Sequence, residues 1–255
     1  MKVVILAGGM GTRLSEETES RPKPMVDIGH RPILWHIMQH YSFYGFDDFV
    51  ICLGYRGEYI KRYFADEVAL SSDMTIDFAS GEVRALQAVS RTWKVTLVDT
   101  GLETQTAGRM VRARRYVDDE PFMMTYGDGV ADVDLGALLE HHRAGGRLAT
   151  VTAVRPIARF GQLEIVDGAV RRFEEKPQLD AGWVNGGYFV LEPGVFDYIP
   201  GDVDWAHEPL EELAAADQLT AYRHDSFWQC MDTLRDKVYL NRLWSSGEAP
   251  WKVWD

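Results

Sequence analysis

Cysteines and long hydrophobic runs are scarce in this sequence. Its 255 residues include two cysteines, Cys52 and Cys230, which are too few for a disulfide framework or a structural zinc site. No apolar run approaches the ~20 residues that a membrane-spanning helix requires. No charged-then-apolar segment with a cleavage site precedes the first loop, so a secretory signal is not expected. The sequence therefore predicts a cytoplasmic protein that does not bind a membrane.

Positive charge is also in short supply. The chain has 27 Lys and Arg against 39 Asp and Glu, a formal net charge of −12, which argues against general nucleic-acid binding. Two familiar phosphate-binding patterns are missing as well. No Gly-x-x-x-x-Gly-Lys-Ser/Thr run occurs, and Leu14 stands where a dinucleotide fingerprint needs its third glycine. A protein this acidic would bind phosphates through local positive charge, often with a divalent cation.

The first fourteen residues carry the strongest positive signal. Residues 3–7 are apolar and rich in β-branched side chains, which predicts a buried strand that ends at Gly8, Gly9 and Gly11. Glycines let a ligand approach the backbone, and positive φ angles let N–H groups converge on an anion. Arg13 adds a permanent charge beside them. This stretch predicts a phosphate cradle at the carboxyl end of the first strand, with a plain tight turn as the alternative.

Apolar strands and helices alternate along the following chain, including a helix predicted to start at Pro32 and another from Arg109 to Val117. The pattern predicts an α/β fold: a Rossmann-like, mixed, mostly parallel sheet flanked by helices, with a smaller mixed-strand subregion. Residues 67–91 are predicted to be a variable insertion with short strands. A hairpin is predicted over residues 162–173, and Trp251 and Trp254 in the tail either serve an interface or pack within the subunit.

One domain is expected over residues 1–255, with a nucleotide-binding half at about 1–128 and a second half at about 129–255 that ends in a C-terminal helix. Ligands of open α/β sheets bind at the carboxyl ends of the strands. This rule places residues 8–13, 106–109 and 127–128 on one rim of the sheet.

Two isolated carboxylates follow apolar strands. Asp128 lies between two glycines, where it either approaches a metal ion or simply forms a turn. Asp232 follows a short strand, where it either binds metal or caps a helix that starts at Thr233 or Leu234. Mg²⁺ takes few protein ligands besides substrate phosphates, so Asp128 and Asp232 together could hold it.

Three further motifs combine polar side chains with a restricted or bare backbone. Lys23 stands between Pro22 and Pro24, which stiffen its backbone and aim its ammonium group. Residues 175–177 (EKP) end a strand, and residues 185–187 (NGG) open another with an amide suited to sugar hydroxyls. An ordinary turn is the alternative for each.

Taken together, these motifs resemble the signature of the sugar-1-phosphate nucleotidylyltransferase family. The matching segments occur in the family's order: residues 6–14 (LAGGMGTRL), 23–25 (KPM), 127–128 (GD), 175–177 (EKP), 185–187 (NGG) and 231–233 (MDT). Other segments look like the glucose-1-phosphate cytidylyltransferase branch: residues 15–18, 32–38, 95–101, 126–132, 227–229 and 231–239. Ala107 and Cys230 depart from the family pattern.

The resemblance implies the reaction of CTP with α-D-glucose 1-phosphate to give CDP-glucose and pyrophosphate. The sugar phosphate would attack in line, assisted by Mg²⁺ between Asp128 and Asp232, and CDP-glucose would feed dideoxysugar and polysaccharide synthesis. The alternatives are the same chemistry with UTP, dTTP or another hexose 1-phosphate, and a nucleotide-sugar-binding protein without turnover. The family tends to assemble, so a homo-oligomer is expected.

The resemblance also implies roles for individual residues. Arg13 would hold the departing phosphates, Lys23 would stabilise the α-phosphate, and Lys176 would fix the sugar phosphate. The implied substrate-binding residues are Leu6, Ala7, Gly8, Gly9, Met10, Gly11 and Thr12 of the loop around the nucleotide, Thr106 and Arg109 against the nucleotide, Glu175, Asn185 and Gly186 near the sugar, and also Tyr126 and Gly127.

Overall fold

A seven-stranded sheet forms the centre of the computed structural model, which describes residues 1–70, 73–86, 92–156, 162–166, 169–174 and 182–254. Its strands lie in the order β7-β5-β6-β4-β1-β2-β3. Strand β6 runs antiparallel to the other six, which confirms the mixed, mostly parallel sheet. The strands are β1 (Lys2–Leu6), β2 (Asp48–Leu53), β3 (Lys94–Asp99), β4 (Phe122–Tyr126), β5 (Ala149–Val154), β6 (Val184–Leu191) and β7 (Leu219–His224).

The described residues form six helices and several shorter helical turns, most of which connect these strands, whereas the last helix follows them. The helices are α1 (Ile33–Phe43), α2 (Gly57–Leu70), α3 (Thr106–Ala113), α4 (Leu135–Gly145), α5 (Glu208–Ala215) and α6 (Leu234–Ser245). The shorter pieces are a four-residue helix, Ser15–Thr18, and 3₁₀ turns at Thr12–Leu14, Lys23–Met25, Arg114–Tyr116 and Pro193–Tyr198. Among the described residues, no helix is long and apolar enough to cross a membrane.

Within the described ranges, four two-stranded antiparallel ribbons lie outside the central sheet. They are Asp27–Ile28 with Arg31–Pro32, Met74–Asp77 with Glu82–Ala85, Gly129–Ala131 with Trp228–Cys230, and Gln162–Val166 with Ala169–Glu174. The last confirms the predicted hairpin, whose turn at residues 167–168 lies outside the described residues. The pair at 74–85 confirms short strands in the predicted insertion, although α2 first continues to Leu70.

Both faces of β1, near the centre of the sheet, are buried. Along β1, Val3 and Ile5 join one apolar core, whereas Val4 and Leu6 join a second core on the opposite face. Because helices cover both faces, parallel strands of this kind read as continuous apolar runs rather than alternating ones. Strand β1, which precedes Gly8 and Gly9, could therefore be recognised from its continuous apolar sequence.

Two helix starts differ from the sequence prediction. Pro32 has an extended backbone (φ −63°, ψ 150°) and precedes α1 as its cap, so the helix begins at Ile33. Helix α3 begins at Thr106, earlier than predicted, because tertiary partners stabilise its first turn. The N–H of Gln105 donates to Asp202 (2.8 Å), and the N–H of Trp205 donates to the Thr106 hydroxyl (2.7 Å).

The C-terminal tail packs within the subunit. Trp251 is fully buried and stacks on Phe227, with 5.5 Å between the ring centroids. Trp254 packs edge-on against Trp35 at 5.9 Å. Of the two alternatives for these tryptophans, the structure shows packing inside the chain.

Candidate active site

A cavity of about 390 Å³ opens at the carboxyl ends of the central strands. Leu6, the last residue of β1, is in register with Cys52 of β2 and with Tyr126, the last residue of β4. Parallel strands in this register end at one edge, where ligands of α/β sheets bind. The cavity is lined by Leu6, Ala7, Gly8, Gly9, Gly11, Thr12, Lys23, Pro24, Thr104, Gln105, Thr106, Arg109, Tyr126, Gly127, Asp128 and Asp232.

The glycine loop needs its glycines for different reasons. A Cβ on Gly8 would lie 2.2 Å from the Arg109 guanidinium, which no real contact allows. Gly11 has a φ of +63°, and its C=O accepts from the Thr18 hydroxyl (3.1 Å). A Cβ on Gly9 would meet no heavy atom within 4 Å, so this position faces open space. Met10 is 46% exposed and does not line the cavity.

Arg109 of α3 ties the ends of three strands together. Its side chain is buried, and burial lowers the pKa of its guanidinium. The guanidinium donates to the Gly8, Leu53, Gly101 and Leu102 carbonyls and to the Thr100 hydroxyl at 2.7–3.1 Å. Arg109 borders the cavity, as the sequence predicted. Its N–H groups donate mainly to backbone carbonyls of the surrounding segments, and this structural role was not predicted from the sequence.

Lys23, Asp128 and Asp232 meet at one side of the cavity. The Lys23 Nζ lies 2.6 Å from Asp128 Oδ2 and 2.5 Å from Asp232 Oδ1. Burial alone would lower the pKa of Lys23, but the two carboxylates outweigh it and raise that pKa. The prolines on either side limit the backbone of this lysine, as the sequence indicated.

A short antiparallel ribbon brings the two carboxylates together. Gly129–Ala131 pairs with Trp228–Cys230, and the N–H of Met231 donates to the Asp128 C=O (2.8 Å). Asp128 and Asp232 therefore leave the same end of the ribbon side by side, although they are far apart in the chain.

The helix-cap alternative for Asp232 is wrong, because Thr233 caps α6. The Thr233 hydroxyl accepts from the N–H of Asp236 (3.3 Å), and the Asp236 carboxylate accepts from the N–H of Thr233 (2.8 Å). This reciprocal capping box satisfies the first turn of α6. The Asp232 carboxylate is left facing Lys23 and the cavity.

The donor set fits a divalent cation with few protein ligands. Asp128 and Asp232 already share one positive group, the Lys23 ammonium, so their oxygens converge on a single point. Mg²⁺ is commonly held by one or two carboxylates, with water and substrate phosphates as its other ligands. Burial raises the pKa of the Cys230 thiol to about 12, so this thiol stays neutral beside Asp232.

Of the residues predicted to bind the sugar, the structure describes only Asn185 and Gly186. Asn185 and Gly186 do not line the cavity. Asn185 Oδ1 accepts from the N–H of Gly187 (2.8 Å), and the Gly186 C=O accepts from the Trp228 indole (2.7 Å). A Cβ on Gly187 would lie 2.7 Å from the Tyr126 ring, so this segment lies behind Tyr126. Glu175 and Lys176 lie outside the described residues.

On the nucleotide side, Arg13 belongs to the 3₁₀ turn Thr12–Leu14, and its side chain is outside the described part. Thr106 lines the cavity, but its hydroxyl donates to Asp204 (2.9 Å) and accepts from the N–H of Trp205 (2.7 Å). Sequence reasoning missed three lining residues: Pro24, Thr104 and Gln105. These three residues could have been found from their positions in the sequence, since each lies within two residues of a predicted site residue.

Comparisons with known proteins agree with this geometry. The sequence profile of the family described as "Nucleotidyl transferase" matches residues 2–233. Glucose-1-phosphate cytidylyltransferase of Salmonella typhi is 54% identical over 257 residues, covering 100% of this chain and 100% of that protein. Mannose-1-phosphate guanylyltransferase 1 of Arabidopsis thaliana is 31% identical, covering 96% of this chain and 64% of that protein.

A solved structure also shares the fold. HddC from Yersinia pseudotuberculosis superimposes with a TM-score of 0.70 at 22% identity, covering 95% of this chain and 99% of that one.

Proposed function

The chain belongs to the nucleotidyl transferase family, and from this premise we propose that it transfers the cytidylyl group of CTP to α-D-glucose 1-phosphate. The products are CDP-glucose and pyrophosphate. The observation that carries the proposal is the full-length 54% identity to a glucose-1-phosphate cytidylyltransferase. The convergence of Lys23, Asp128 and Asp232 on one cavity supports it.

The reaction is a direct displacement. A phosphate oxygen of glucose 1-phosphate forms the new bond to the α-phosphorus of CTP, and the bond to the bridging oxygen of pyrophosphate breaks. The attacking phosphate is already an anion, so no general base is required. Such reactions depend on positioning and on neutralising charge, which fits a cavity that is lined by Lys23 and by two carboxylates able to hold a divalent cation.

Mg²⁺ is the proposed cofactor, held by Asp128 and Asp232, and when bound it neutralises phosphate charge and aligns the reacting groups. Lys23 contacts both carboxylates, so its ammonium is within reach of an α-phosphate placed beside them. The open face at Gly9 gives room for the triphosphate.

The remaining assignments are proposals on the same basis. Arg13 neutralises the departing phosphates and Lys176 the sugar phosphate. Glu175, Asn185 and Gly186 are assigned to the sugar. The nucleotide is assigned to the cavity lining formed by Leu6, Ala7, Gly8, Gly9, Gly11, Thr12, Thr106, Arg109, Tyr126 and Gly127, with Met10 at the edge of the same loop.

Pyrophosphate release tests the substrates. The protein is incubated with Mg²⁺, glucose 1-phosphate and each of CTP, UTP, dTTP, ATP and GTP, and then with CTP and other hexose 1-phosphates. CTP with glucose 1-phosphate should give the highest kcat/KM. Faster release with UTP or dTTP would overturn the cytidine assignment. Absence of pyrophosphate with every pair would favour a binding protein without turnover.

Asp232→Asn tests the metal site. Turnover should be lost while the fold persists, because the capping box of α6 does not use this carboxylate. Asp134→Asn is the matched control, since Asp134 caps α4 by accepting from the N–H of Ala137 (2.9 Å). That variant should lose about 1 kcal/mol of unfolding free energy or less and keep its turnover.

Assembly and location complete the proposal. The hairpin at residues 74–85 exposes apolar side chains, with Ile76, Phe78 and Val83 at its surface, and we assign it to contacts between copies in a homo-oligomer. The cytoplasm is the proposed location, because nucleoside triphosphates and sugar phosphates are made there.

A further inference from the structure

Helix α6 presents a polar stripe to the long loop between β1 and α1. Thr233, Lys237 and Asn241 are spaced four residues apart, so they lie on one face of the helix. The loop that this face meets runs from the cavity at Gly11 to Gly29. The residues that join this helix face to the loop, namely Glu17, Asp27, Gly29, Lys237 and Asn241, do not line the cavity.

The first contact is an ion pair between Lys237 and Glu17, which are 220 residues apart in the sequence. The Lys237 ammonium donates to the Glu17 carboxylate, and Arg21 donates to the other oxygen of Glu17 (2.8 Å) and to Asp27 (2.6 Å). The side chains of Lys237 and Glu17 are 22% and 18% exposed, so solvent screens the pair less than a surface pair. The hydrogen bond from Lys237 is the main reason that the pKa of Glu17 is lowered.

The second contact is made by Asn241, two turns further along than Thr233. Its Oδ1 accepts from the N–H of Gly29 (2.9 Å), and its Nδ2 donates to the Asp27 C=O (3.3 Å). A Cβ on Gly29 would lie 2.3 Å from the Trp244 indole nitrogen. Helix α6 therefore contacts the loop at both its Glu17 and its Gly29 ends.

Each partner of the ion pair connects to the cavity. Glu17 belongs to the short helix Ser15–Thr18, and the neighbouring Thr18 hydroxyl donates to the Gly11 C=O (3.1 Å). Lys237 lies in the first turn of α6, five residues after Asp232, and the N–H of Asp232 donates to the Asp236 carboxylate (3.1 Å). The pair thus joins the segment that carries Gly11 to the segment that carries Asp232.

We propose that Lys237 is a positioning residue, whose ion pair with Glu17 fixes the nucleotide loop relative to the Asp232 carboxylate. The glycine loop and the carboxylate then meet the triphosphate as one preorganised unit. Without the pair, binding would have to order the loop, and this cost would appear as weaker nucleotide affinity. The inference rests on the proposed function in that it assumes a nucleoside triphosphate as the ligand.

Lys237→Met tests the proposal through the split between KM and kcat. We expect KM for CTP to rise about tenfold, which corresponds to about 1.4 kcal/mol, with kcat within about twofold. Glu17→Gln should behave similarly, and the double variant should be no worse than Glu17→Gln, because Lys237 acts through Glu17. Lys237→Arg should restore most of the affinity.

Lys94→Met is the matched control. Lys94 forms a more exposed ion pair with Asp48 (3.0 Å), at the amino ends of β3 and β2 and therefore away from the cavity. Its loss should leave KM unchanged. Unchanged KM in Lys237→Met, or additive effects in the double variant, would overturn the inference.

Direct binding separates this inference from the proposed function. CTP binding is measured by calorimetry on the wild type, Lys237→Met and Glu17→Gln, and other triphosphates are tried if CTP does not bind. A wild type that binds no triphosphate would overturn the proposed function itself. A wild type and a Lys237→Met variant with equal affinity would overturn the positioning role alone.

Discussion

Replacing Lys23 with methionine separates its proposed role in turnover from its role in stabilising the two carboxylates of the cavity. The substitution removes the ammonium that Asp128 and Asp232 share (2.6 and 2.5 Å) and keeps an unbranched side chain in the same largely buried position. Turnover should be lost because Lys23 is assigned to the α-phosphate. The informative quantity is the stability of the ligand-free protein and its response to Mg²⁺.

The expected loss of stability follows from the geometry. Opposite charges about 4 Å apart attract by about 4 kcal/mol at an effective dielectric constant of 20, and Lys23 has two such partners. The desolvation of the ammonium offsets much of this attraction. Removing one member of a buried ion pair costs about 3–5 kcal/mol, and the Asp128 side chain is 33% exposed, which reduces the cost. We expect a loss of about 2–4 kcal/mol of unfolding free energy.

Urea unfolding with and without Mg²⁺ measures this loss and its recovery. In Lys23→Met the two carboxylates are left without their shared ammonium, so Mg²⁺ should restore most of the stability; a ligand at 100 times its Kd adds about 2.7 kcal/mol. The ligand-free wild type should gain much less, because the ammonium competes for the same oxygens. Mn²⁺ binding followed by paramagnetic resonance gives an independent measure.

Two results would refute this reasoning. One is equal Mn²⁺ affinity in the wild type and in Lys23→Met without nucleotide, which would mean that the ammonium does not compete with the metal. The other is a loss of stability that Mg²⁺ does not recover, which would mean that Asp128 and Asp232 do not form a metal site.

Three further predictions concern the loop, a buried ion pair and the surface. Gly8→Ala should lower the melting temperature, because its Cβ would lie 2.2 Å from the Arg109 guanidinium and would displace it from its carbonyl partners. Gly9→Ala should keep the ligand-free melting temperature and weaken only nucleotide binding. His224 lies 3.0 Å from Asp132, and although burial lowers the pKa of His224, the carboxylate outweighs it and raises that pKa. The ion pair therefore contributes its full stabilisation below about pH 6.5. Urea denaturation should show that this part of the unfolding free energy is lost as the pH rises through the folded-state pKa of His224. The His224→Gln variant should show no such loss. Phe78→Ser should lower the molar mass measured by light scattering, since Phe78 is 92% exposed on the assembling hairpin; an unchanged mass would exclude the hairpin as the contact.

Local sequence patterns were sufficient for much of the fold. Residues 3–7 were predicted as a buried strand because an apolar, β-branched run that stops at glycines has few other solutions. The same reasoning placed Asp128 at a strand end, and the family motifs located the cavity. The start of α3 was missed because its first turn depends on Asp202 and Trp205, nearly a hundred residues away.

The sequence by itself determined the strands, the glycine loop and the identity of the charged groups, because each of these depends on neighbours within a few residues. The tertiary structure alone decided what those groups do to one another. The register of the sheet and the ribbon brought Lys23 between Asp128 and Asp232, turned Arg109 toward backbone carbonyls, and put Lys237 against Glu17. Contacts between residues more than a hundred positions apart follow from how strands and helices pack, and no local pattern encodes that packing.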